Sequence, residues 1–161
     1  MRSTTPDRMN QPPQTNTNRS TISLVNSREE IDRAENDVLE ALDRARYDEA
    51  SKFAVRLALE EAIMNAFRHG HKSLPPTEPV RLVYSVSPGE AVIEIEDRGP
   101  GFKPEGVPDC TLDQNLELPS GRGIMLMRAF MTSVSYLDRG NRVVMVYRKP
   151  DPAEPVGAPT A

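Results

Sequence analysis

Two periodicities divide the chain. In the first polar-apolar stretch, Ile31, Ala34, Val38 and Leu42 recur at spacings of three and four, which predicts an amphipathic helix. Glu29, Asp32, Arg33 and Asn36 fall on its other face. Ser27 followed three residues later by Glu30 reads as a capping box opening that helix, after a short β-prone stretch over 21–25. A second helix is expected over 48–68. It is far more apolar, with Leu57, Leu59, Ile63, Met64 and Phe67, and Gly70 lies just past its end as a stop. The period then changes to two. Segments 80–87 and 90–97 flank Pro88-Gly89 and predict a hairpin. Segments 133–138 and 142–148 predict another across Arg139-Gly140-Asn141. Between the hairpins lie a polar stretch over 103–120, with Pro104, Pro108 and Pro119, and an apolar helix over 123–131. The order β-α-α-β-β-loop-α-β-β predicts an α+β two-layer sandwich: a mixed, largely antiparallel sheet with helices on one face.

Composition narrows this picture. The 161 residues are 37% apolar, enough for one core. Residues 1–20 and 150–161 are polar or Pro/Ala-rich and read as disordered tails, leaving a folded domain over 21–149. Twenty basic against 24 acidic side chains leave a net charge of −4, without the basic stripe of a nucleic-acid binder, so no direct nucleic-acid partner is expected. No apolar run approaches membrane-spanning length and the N-terminus lacks a signal-peptide core. With a single cysteine, Cys110, a reducing cytoplasmic location is the expectation. His69 and His71, two residues apart without a cysteine partner, are poor metal ligands; a capping or structural role suits His69 better.

Three segments carry candidate chemistry. On the second helix Glu61 and Asn65 are one turn apart on a single face, with Ala54 and Ala58 on the same stripe. Two polar groups beside small residues suit a ligand face; the plain alternative is a solvent-facing pair. Along IEIEDRGPGF, Ile93, Ile95 and Asp97 share one strand face, so a carboxylate is aimed at the core and needs a donor. Gly99 and Gly101 allow a sharp turn and a close approach to a ligand. In SGRGIMLM, Gly121 and Gly123 precede an apolar helix, whose free N–H groups and dipole favour phosphate, and Arg122 adds a cation. Each signal alone also fits an ordinary turn or joint.

Together, in this order, they resemble the GHKL superfamily of ATPases and kinases over roughly residues 21–149: an N-box in Glu61, Asn65-Ala66 and His69-Gly70, and glycine boxes in Asp97-Arg98-Gly99-Pro100-Gly101-Phe102 and Gly121-Arg122-Gly123-Ile124-Met125-Leu126. LALEEAIMNAFRHG and SGRGIMLMRAFM look like the stand-alone anti-sigma-factor serine/threonine kinases. The resemblance implies a Bergerat-type ATP-binding fold, Mg-ATP, and phosphate transfer to a Ser or Thr of a STAS-type antagonist protein. It also implies a sigma factor as partner and allows a homodimer. Glu61 would be the general base and Asn65 the Mg ligand; Asp97 would read the adenine amino group. Gly99, Gly101, Gly121 and Gly123 would shape the pocket, and Arg68 or Arg122 could touch phosphate. Many relatives carry acidic residues after the last helix, where this chain has Thr132-Ser133. The competing reading is a non-catalytic, ATP-gated binding module. A histidine kinase's catalytic half is disfavoured, because no long dimerisation helix bears a phospho-accepting His. Segment 103–120 is expected to be a lid that closes over nucleotide. Its amide hydrogen exchange should slow when ATP is added, and equal strong protection without ATP would exclude a lid.

Overall fold

In the computed structural model, residues 18–101 and 119–150 are described. Phe102, Cys110, the expected lid up to 118 and most of both tails lie outside the described residues. Strand β1 (Arg19–Leu24) leads into α1 (Arg28–Arg44) and α2 (Glu49–Asn65), followed by a π-helical turn (Ala66–Gly70). Then come β2 (Val80–Val86), β3 (Glu90–Glu96), α3 (Pro119–Phe130), β4 (Ser133–Leu137) and β5 (Arg142–Arg148). β1 thus starts two residues earlier than the expected strand, and Arg19 and Ser20 belong to the fold rather than to a tail.

The five strands form one open sheet in the order β1-β2-β3-β5-β4. Every pairing is antiparallel, so the sheet is not mixed. The register stacks Leu82, Ile95 and Val143 across three strands, and Tyr84, Ile93 and Met145 beside them. That face meets Ile31, Val38 and Leu42 of α1, Val55, Leu59 and Ile63 of α2, and Met127 of α3 in one buried cluster. These are the two layers of an α+β sandwich with its helices on one face. The opposite face is mixed: Val83, Val92, Val144 and Val146 share it with charged groups, and Glu94 lies among Arg19, Arg81 and Arg142, at 3.3, 3.8 and 3.2 Å.

Local chemistry sets the helix ends. Asp48 caps α2 by accepting the Ser51 N–H at 2.8 Å. The capping box expected at α1 does not form. Ser27 occupies the N-cap position without a side-chain cap bond. Its N–H is already given to the Val25 carbonyl, so Glu30 reaches past it and accepts the Val25 N–H at 2.7 Å. α3 begins at Pro119, not after Gly121 and Gly123, so both glycines lie inside its opening turns. Proline suits a first helical position, where the missing N–H is not needed.

Candidate functional site

α2 does not stop at a simple cap. After Asn65 the ladder widens into a π turn that closes with the His71 N–H on the Ala66 carbonyl at 2.9 Å. Such turns are uncommon and cluster at functional sites. This one carries Gly70 under the end of β3, the central strand of the sheet. A Cβ on Gly70 would overlap the Asp97 carboxylate, and a Cβ on Gly99 would overlap the Gly70 carbonyl. Gly70, Asp97 and Gly99 therefore interlock, and only glycine fits at 70 and 99.

Asp97 follows Ile93 and Ile95 onto the helix-covered face and is 9% exposed. Its Oδ1 accepts the Gly99 N–H at 2.8 Å. Burial raises its pKa from the ordinary carboxylate value, while the Gly99 N–H and the nearby His71 and Arg139 pull the other way. The β4–β5 turn braces its backbone. Asn141 Nδ2 donates to the Asp97 carbonyl at 2.9 Å, and the Asp97 N–H donates to the Asn141 carbonyl at 2.9 Å. Arg139 donates through Nε and Nη2 to the Gly99 carbonyl at 3.0 and 2.8 Å. Gly101, at φ 78°, packs on the Arg139 backbone, where a side chain would be both strained and obstructed.

At the other end of the stretch, Glu61 and Asn65 are half-buried and face α3, which rules out a simple solvent-facing pair. A Cβ on Gly123 would sit 2.8 Å from Glu61 Oε2 and 3.1 Å from Asn65 Nδ2. The two glycines of α3 thus have different parts. Gly121 lies in the opening turn of α3; Gly123 gives α3 room to lie on the Glu61–Asn65 stripe. The small residues of that stripe do not line open space as expected: Ala54 and Ala58 are buried at 7% and 0% exposure.

The structure therefore forms two clusters on one continuous segment: Glu61, Asn65 and Gly123, and five residues beyond Asn65, Gly70 with Asp97 and Gly99. Gly101 joins the second through Arg139. Arg68 and Arg122 are exposed, and among the described residues neither pairs with a carboxylate. His71, Arg139 and Asn141 were not expected at the site. Their bonds span 27, 40 and 44 residues, beyond any local pattern. The single available signal was the position of Asn141 at the foot of a hairpin turn.

Among the described residues no group of three His, Cys, Asp or Glu could hold a metal unaided. Asn65 beside Glu61 offers side-chain oxygens at one point, which fits a magnesium ion that takes most of its ligands from phosphate and water. Residues 24–147 match the model of the histidine kinase-like ATPase domain. The chain belongs to that family. Comparison with individual curated proteins gives no match. As a histidine kinase-like ATPase domain it is an ATP-binding module of the GHKL type, and its match extends from the end of β1 into β5. Among the described residues no helix is long and apolar enough to cross a membrane.

Proposed function

We propose that this protein is a serine/threonine kinase of the anti-sigma type, which binds Mg-ATP and phosphorylates a Ser or Thr of an antagonist protein. The observation that carries this reading is Glu61 beside Asn65, one turn apart on α2 and both against the opening turns of α3. Magnesium, when bound, would neutralise charge developing on the phosphates. Asn65 is placed to hold it with phosphate oxygens. Glu61 is placed to accept the proton of the attacking hydroxyl. Asp97, with Oδ1 engaged by Gly99, keeps Oδ2 for the adenine amino group. The Gly121 N–H and the exposed guanidinium groups of Arg68 and Arg122 suit the phosphates. An ATP-gated binding module would need no base, so Glu61 favours the kinase. The direct test isolates the protein with its co-purifying partner and adds labelled ATP. Label on a partner Ser or Thr supports the proposal; binding of ATP without any transfer replaces the kinase with the gated binding module.

The partners proposed are a sigma factor and a STAS-type antagonist, recruited in part by the polar face of α1, with a homodimer as the proposed assembly. Arg33 is exposed there and pairs with Glu29 at 3.3 Å; Arg28 pairs with Asp32 at 3.0 Å. Reversing one surface charge typically changes affinity modestly, so Arg33→Glu should weaken partner binding roughly two- to tenfold. ATP affinity should stay the same, because Arg33 lies outside both site clusters. Unchanged partner affinity in a pull-down titration would place the docking surface elsewhere.

A further inference from the structure

The least expected contact at the site is made by a histidine. His71 is 8% exposed, directly after the interlocked Gly70, and its ring stands edge-on to Phe67 with centroids 5.7 Å apart. Its Nε2 accepts the backbone N–H of Arg98 at 3.0 Å. That N–H belongs to the residue after Asp97, in the turn where Gly99 holds Asp97 Oδ1. The imidazole thus fixes the peptide between the carboxylate and the glycine that orients it.

Only a neutral imidazole protonated at Nδ1 can do this, because Nε2 must present a lone pair. In the imidazolium both nitrogens are donors. Nε2–H would then point at the Arg98 N–H, donor against donor, in a buried place. Asp97 lies within electrostatic reach of the ring, since His71 helps to lower its pKa, and it can pair with an imidazolium. Both consequences act in the same direction. Losing the Arg98 bond frees the turn, and an ion pair with Asp97 occupies the acceptor. The other charges around the ring are already engaged or lie along its own segment. Arg98 reaches Glu78 at 3.0 Å, Arg139 binds the Gly99 carbonyl, and Arg68, His69 and Lys72 flank His71 in sequence. None of them offers a rival acceptor for an imidazolium.

We infer that His71 is a positioning residue for the nucleotide: its neutral ring holds the Asp97–Gly99 turn in the adenine-reading conformation, and protonation of the ring releases nucleotide. The inference rests on Asp97 as the adenine acceptor and adds proton-linked control of it.

The test is the affinity for Mg-ATP, measured by calorimetry between about pH 5.5 and about pH 8.5, for the unmodified protein, His71→Gln and His71→Phe. Glutamine can present its amide oxygen near the Nε2 position but does not titrate; phenylalanine fills the ring's space without an acceptor. Nucleotide phosphates and Asp97 also titrate, so the decisive quantity is the affinity of the unmodified protein relative to His71→Gln at each pH. That ratio should fall about tenfold from the alkaline to the acid end, as expected when one buried hydrogen bond is exchanged for a donor–donor contact. His71→Phe should bind about tenfold more weakly than the unmodified protein at the alkaline end. Across that pH range, the heat of ATP binding to the unmodified protein should depend on the buffer's ionisation enthalpy more strongly than that of His71→Gln. A constant ratio, or equal affinity of the folded Phe variant, overturns the role of His71 alone. If His71→Phe fails to fold, the Gln ratio decides. No ATP binding by the unmodified protein at the alkaline end removes the adenine reading, and this inference with it.

Discussion

Glu61→Gln should bind ATP with unchanged affinity and melt cooperatively, yet transfer phosphate to the partner about a hundred- to ten-thousand-fold more slowly, the usual contribution of a positioned general base. A serine or threonine hydroxyl is a weak nucleophile at neutral pH. A carboxylate that accepts its proton as the new bond to phosphorus forms lowers that barrier. Glutamine keeps the length and the contact with the opening turns of α3, where Oε2 sits 2.8 Å from the place a Gly123 Cβ would take, and removes only the basicity. Glu60 supplies the control. It lies about 100° further round the helix, with Oε1 3.7 Å from Arg28 of α1, so Glu60→Gln should remain active. Stopped-time phosphorylation assays on both variants check this. Equal rates for Glu61→Gln and the unmodified protein would assign the base elsewhere.

Asp97→Asn should weaken ATP binding about tenfold to about a hundredfold, the range expected for losing a hydrogen bond to a charged group. The arrangement at Gly99 makes this substitution harsher than its size suggests. Asp97 gives one oxygen to the Gly99 N–H at 2.8 Å. If asparagine keeps that bond with its single oxygen, its NH₂ group faces the adenine amino group, donor against donor. If it turns over, the Gly99 N–H loses its acceptor beneath the interlock with Gly70. Titration calorimetry separates this from misfolding, because Asn141 still braces the residue 97 backbone through two bonds of 2.9 Å. Unchanged affinity in a folded variant would remove Asp97 from adenine recognition.

What the sequence revealed and what it withheld divide along physical lines. The period-two pattern of Ile93, Ile95 and Asp97 sufficed to bury a carboxylate on the helix-covered face, because side chains alternate strictly in a strand. The one-turn spacing of Glu61 and Asn65 sufficed to put them on one face, and they meet Gly123 together. Both are short-range regularities. The π turn at Ala66–Gly70 leaves no composition signal, since an Ala-Phe-Arg-His run fits an ordinary helix end equally well. The capping box failed because Ser27 spends its N–H on Val25, a choice set by how β1 hands over to α1. The two glycines after Pro119 suggested a loop before α3, but both lie inside the helix, where Gly123 serves close packing on α2. His71, Arg139 and Asn141 act on residues 27 to 44 positions away, and only the folded sheet brings them there.

The central claim is an adenine-specific nucleotide site built on Asp97, and nucleotide selectivity tests it most directly. Guanine presents a carbonyl where adenine presents an amino group, so Asp97 Oδ2 would meet an acceptor in place of a donor. A site built to hydrogen-bond one group strongly rejects the analogue that lacks it. Calorimetric titration of the unmodified protein with Mg-ATP and with Mg-GTP is the measurement. The account predicts saturable binding of ATP and binding of GTP at least about a hundredfold weaker. Equal affinity for the two nucleotides, or no binding of either, would contradict it.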